Sequence, residues 1–77
     1  MEYDLDKIDE AALALLALTM FEDHGVNRAW KGMDWDVTDR LEAKGWIADA
    51  KGKNKSVIFT EQGKKLALAF LEKHFGK

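Results

Sequence analysis

With 77 residues, no cysteine and no proline, the chain has the size of one domain, 1–77, in which only about 60 to 65% of the unfolded surface can be buried. Its 12 Lys and Arg against 14 Asp and Glu exclude the strong basic excess of a dedicated nucleic-acid binder, and the lack of thiols excludes disulfides and thiolate metal sites. The run Ala11 to Leu18 falls short of the roughly 20 apolar residues that span a bilayer, and Glu2, Asp4, Asp6, Asp9 and Glu10 stand where an export signal carries positive charge, so a soluble cytoplasmic protein is expected.

A first helix is expected after Asp6, whose carboxylate can cap freed backbone N–H groups, and is expected to end near Asp23, with Gly25 as the left-handed residue that closes it. At 100° per residue, Ile8, Ala11, Ala12, Leu15, Leu18 and Thr19 share a face and form the expected core stripe. Leu13, Ala17, Met20 and Phe21 fall on the other side, so the helix is apolar nearly all round. Either the last helix covers that second face, or two chains pair through it.

Val26 to Lys31 reads as a short extended piece that adds an edge strand to a later hairpin. Asp34 is the N-cap of a second helix running through Lys44, anchored in the core by Val37 and Leu41, with Trp35, Asp36, Asp39, Arg40 and Glu42 pointing away from it. Trp46 to Ala50 and Ser56 to Thr60 alternate as a hairpin, with Ile47, Val57 and Phe59 on the buried face and Trp46 and Ile58 on the other. Lys51, Gly52, Lys53, Asn54 and Lys55 form its cationic tip. Thr60 caps the last helix, with Gly63 at the position a capping-box Glu or Gln would hold. Leu66, Ala67, Phe70, Leu71 and His74 line one side of that helix, with Leu68 and Phe75 at its edge.

The phrases RLEAKGWI and KSVIFTEQGKKLA resemble the helix, wing and final helix of winged-helix regulators of the MarR and PadR type, through Leu41, Gly45, Ile47, Thr60, Glu61, Gly63 and Lys64. The resemblance implies an α+β winged-helix domain in the order α-(short β)-α-β-β-α. Its helix-turn-helix is abbreviated, because Val26 to Met33 is too short and too polar for the helix such regulators carry before the recognition helix. The chain as a whole, including DEAALALL, RAWKGMDWD and DRL, is similar to a family of small bacterial proteins of unknown function.

For DNA binding, Arg28, Lys31, Lys51, Lys53 and Lys55 are the candidate phosphate contacts, although lysines at a hairpin tip also serve simply to keep it soluble. The second helix opposes groove docking: Asp36, Asp39 and Glu42 stand against Arg40, which is spaced to pair with Asp36. A protein interface is expected among Leu13, Ala17, Met20, Phe21, Trp30, Trp35, Leu68 and Phe75. For Trp30 and Trp35 the alternative is that they fill a core lacking one helix. His24 and His74 are remote in sequence, the Ser56 and Thr60 hydroxyls suit strand and cap roles, and Asp34, Asp36 and Asp39 read as a solvated helix face rather than a cation site. The expectation is a non-enzymatic binding module without cofactor, metal or small-molecule substrate, taking a protein partner or a second copy, with DNA contacted through the wing as the alternative.

Overall fold

The Asp4 carboxylate accepts the backbone N–H of Lys7 at 3.1 Å, and the first helix, α1, runs Leu5–Leu18 from that cap. The structure is a computed structural model and describes residues 2–30, 32–50 and 55–77. Helix α1 is shorter than expected at its C-terminal end. Beyond Thr19 the chain turns into a strand, β1 (Phe21–Asp23), which pairs with β2 (Val26–Trp30) across a two-residue turn. His24 and Gly25 have φ of 52° and 83°, the paired positive values of a type I′ hairpin turn. Gly25 therefore adopts the left-handed conformation expected of it, but it closes a hairpin and not a helix. A local hairpin signal won over the apolar run that precedes it.

Asp34 precedes helix α2 (Trp35–Ala43) without a side-chain cap bond. The helix ends in a Schellman arrangement: the Gly45 N–H donates to the Glu42 carbonyl at 2.9 Å and the Trp46 N–H to that of Leu41 at 3.1 Å. Short strands β3 (Ile47–Ala48) and β4 (Ser56–Phe59) follow, then helix α3 (Glu61–Phe75). The tip residues Lys51, Gly52, Lys53 and Asn54 lie outside the described set, as does Lys31.

The described residues form a mixed α+β fold of three helices and one antiparallel four-stranded sheet in the order β1-β2-β4-β3. This differs from α-(short β)-α-β-β-α. Two strands precede α2, and β2 is an interior strand that pairs Ala29 with Val57. Ala29, Ile47, Val57 and Phe59 are buried and join Leu13, Leu16, Leu41 and Ala67 in one cluster, so the helices pack on that side of the sheet. Arg28, Trp30 and Ile58 alternate onto the other side.

One junction holds α2, β3 and α3 together. The Thr60 hydroxyl donates to the Gly45 carbonyl at 2.7 Å and accepts the Gly63 N–H at 2.9 Å, while the Thr60 N–H reaches the Trp46 carbonyl at 3.1 Å. A Cβ at Gly63 would lie 1.8 Å from the Trp46 carbonyl oxygen, so only glycine lets the first turn of α3 approach so closely. The Trp46 ring then packs on Phe70, with centroids 5.5 Å apart, and Lys44 Nζ sits 4.9 Å over it.

The rotation of α1 also departs from expectation. Asp9, Ala12, Leu13, Ala14, Leu16 and Ala17 are its buried residues, whereas Leu15 and Leu18 are exposed. An all-apolar helix does not say which face turns inward, and here polar partners decide it. Helix α3 covers the second face, so Leu13 and Ala17 belong to the core of a single chain.

Candidate functional site

Asp9 is the one acid buried within α1, and two cations from α2 converge on it. Arg40 Nε donates to both carboxylate oxygens at 2.9 and 3.0 Å, Arg40 Nη2 lies 2.8 Å from Oδ1, and Lys44 Nζ donates to Oδ2 at 2.9 Å. Arg40 and Lys44 are four residues apart, so one face of α2 presents both. Lys44 also reaches the exposed Asp6 at 3.1 Å. Burial pushes the Asp9 carboxyl up, but the hydrogen bonds and charges of Arg40 and Lys44 outweigh it and hold the group below its ordinary value. The same bonds from Asp9 raise Arg40 and Lys44.

A second polar clamp joins α1 to α3. Glu10 Oε1 lies 2.8 Å from His74 Nε2 and 3.2 Å from Lys73 Nζ, and hydrogen bonds from His74 and then Lys73 hold its carboxyl below the usual range. Both clamps favour the same rotation of α1, the buried one through Asp9 facing α2 and the exposed one, more weakly, through Glu10 facing α3.

The first clamp also changes the outside of α2. Arg40 is turned to Asp9, so the expected i, i+4 ion pair with Asp36 does not form, although Asp36 and Asp34 still stabilise the Arg40 charge through space. Glu42 is engaged as well, its carboxylate accepting the Ala50 N–H at 2.9 Å. The remaining outward charges are Asp34, Asp36 and Asp39, all exposed, and none makes an ion pair among the described residues. Beside them Trp35 is 83% exposed, so it does not fill the core. The Thr38 hydroxyl, on the inner side, donates to the Trp35 carbonyl at 3.1 Å.

The remaining candidates scatter. Arg28 is largely buried: its Nε donates to Ser56 Oγ at 2.8 Å and its Nη2 lies 3.5 Å from Asp49. Arg28, one of the expected phosphate contacts, is thus engaged within the chain. Lys55 is exposed and lines a shallow hollow with Phe21, Asp23, Arg28, Trp30 and Ser56, while Lys31, Lys51 and Lys53 lie outside the described residues. Phe21 and Trp30 meet on β1 and β2 with centroids 5.2 Å apart, and Trp30 is 59% exposed, so it too stands outside the core. Met20 packs on the core, Leu68 borders a hollow near Val26 at the hairpin turn, and Phe75 lies in the last turn of α3. The eight expected interface residues therefore do not form one surface.

Sequence reasoning missed Asp9 as a buried anchor. The available signal was its spacing with Ala12, Leu13, Leu16 and Ala17, an acid set in an apolar stripe, matched by two cations on one face of α2. No cluster of three His, Cys, Asp or Glu side chains that could hold a metal occurs among the described residues, and none of their helices is long and apolar enough to cross a membrane.

Residues 4–77 match the family described as "Domain of unknown function (DUF6429)". The chain is also similar to "Uncharacterized protein y4hR" of Sinorhizobium fredii, 52% identical over 63 residues that cover 82% of this chain and 81% of that protein. No solved structure matches it.

Proposed function

The chain belongs to the DUF6429 family of domains of unknown function, and from that premise we propose that it is a non-enzymatic, winged-helix-like module of the cytoplasm that binds a protein partner through the outer side of α2. The observation that carries this reading is the exposure of Trp35 beside Asp34, Asp36 and Asp39, on a helix whose Arg40 is engaged with Asp9. Tryptophan is enriched among interface anchors, and three carboxylates around it that make no ion pair among the described residues select a partner that offers Lys or Arg beside an apolar residue. The winged-helix-like part of this reading is supported by element order alone: α2, β3, β4 and α3 follow in the order of recognition helix, wing strands and final helix, with the Thr60–Gly63 junction at the start of the last.

Phosphate contact through the wing draws less support, because Arg28 is engaged by Ser56 and Asp49 and the groove-facing helix would bring surplus carboxylates to a polyanion. The test is anisotropy of a fluorescein-labelled amphipathic peptide rich in Leu and Lys, titrated with the protein in parallel with a mixed-sequence DNA duplex. The peptide is expected to bind, to weaken about tenfold with Trp35→Ala, roughly the loss of one interface anchor, and to weaken further with Asp36→Lys. A peptide that ignores both substitutions, with a duplex that binds and is released by salt and by Lys55→Ala, would replace this reading with the DNA one.

A further inference from the structure

On α1, Ile8, Ala11, Leu15 and Leu18 recur at intervals of three, four and three residues, the spacing of a helix-packing seam. Leu15 is 42% and Leu18 63% exposed, and Ile8 and Ala11 are half-buried, so this seam has no complete cover in the chain. It also carries no charge. From Ile8 to Leu18 the only ionisable side chains are Asp9, buried against Arg40 and Lys44, and Glu10, held by Lys73 and His74. That leaves roughly 15 Å of uncharged helix face, at 1.5 Å per residue.

We propose that a second copy of this chain packs on that face, with the two α1 helices antiparallel across a two-fold axis that passes midway between Ala11 and Leu15 of the seam. A two-fold contact needs a surface complementary to itself. Here antiparallel pairing sets Ile8 of one copy against Leu18 of the other and each Ala11 against a Leu15, so a small residue receives a large one at the centre. Charge selects this face over the others. The outer side of α2 would oppose Asp34, Asp36 and Asp39 to their own copies, and the free edge of β1 would oppose Glu22 to itself, whereas the α1 seam brings no like charges together. A seam of four apolar positions per chain makes a small, reversible interface.

Sedimentation equilibrium over a hundredfold concentration range is expected to show a weight-average mass rising from monomer towards dimer, and Leu15→Glu with Leu18→Glu to abolish the rise while circular dichroism stays unchanged. Because the chain has no cysteine, a mixture of Ala11→Cys and Leu15→Cys chains gives a second readout that needs no acidic substitution: cross-linking between positions 11 and 15 should outpace that of Trp35→Cys chains. Trp35→Ala should leave both readouts unchanged, which separates this inference from the partner site on α2. A mass that stays monomeric throughout, a rise insensitive to the Leu15 and Leu18 substitutions, or cross-linking no faster than at Trp35 would overturn it, as would a foreign protein occupying the seam of a monomeric chain.

Discussion

The two faces of α1 look equally apolar in the sequence and have opposite fates. Leu13, Leu16 and Ala17 sit in the core, while Leu15 and Leu18 remain outside. The difference is not hydrophobicity, since leucines lie on both sides. It comes from the charges threaded between them: Asp9 goes to α2 and Glu10 to α3, and once both are satisfied the leucines have no choice of side. In a domain with so small a core, a few polar contacts select among orientations that apolar burial alone leaves nearly equal.

The comparison breaks most visibly at its inner face. Leu13→Ala should destabilise folding by about 3 kcal/mol or more, the cost of a cavity at a fully buried leucine, whereas Leu15→Ala should cost under about 1 kcal/mol, as chemical denaturation would show. Leu13→Asp should likewise prevent folding rather than disturb assembly, the reverse of what an exposed second face would imply. The next largest effect is expected at the clamp. Arg40→Ala leaves the buried Asp9 to Lys44 alone and should lower stability, by less than Leu13→Ala because Arg40 is partly open to solvent and Lys44 still pairs with Asp9. Asp9→Leu should be much milder, because it removes the buried charge, and Arg40 and Lys44 can turn to solvent.

The smallest effect is the pH dependence. The Asp9 carboxyl is depressed in the folded chain, so its ion pairs contribute fully above the ordinary value of 3.8 and are lost as pH falls through the depressed one. Wild-type stability should therefore fall in acid, and Asp9→Asn should flatten that limb. An equally steep acid limb in Asp9→Asn would place the sensitivity elsewhere, with Glu10 the next carboxylate to examine.

Much of the second half of the fold was legible because its junction residues have local jobs. The Schellman turn at Gly45, the Thr60 cap and the Ile47, Val57 and Phe59 alternation each follow from bonds or burial within a few residues. The first half was less legible. Met20 and Phe21 continued an apolar helical pattern, and only the His24–Gly25 pair announced a hairpin. The acidic outer side of α2 was visible, but the removal of Arg40 from it depends on a contact 31 residues away, which no local pattern encodes.

The most direct measurement is a carbon-13 NMR titration of the Asp9 side-chain carboxyl in the folded protein. Its midpoint should lie below the ordinary aspartate value, and Arg40→Ala should raise it. A midpoint at or above the ordinary value, unchanged by Arg40→Ala, would mean that Arg40 is free on the outside of α2, and both the rotation of α1 and the acidic partner surface would lose their basis.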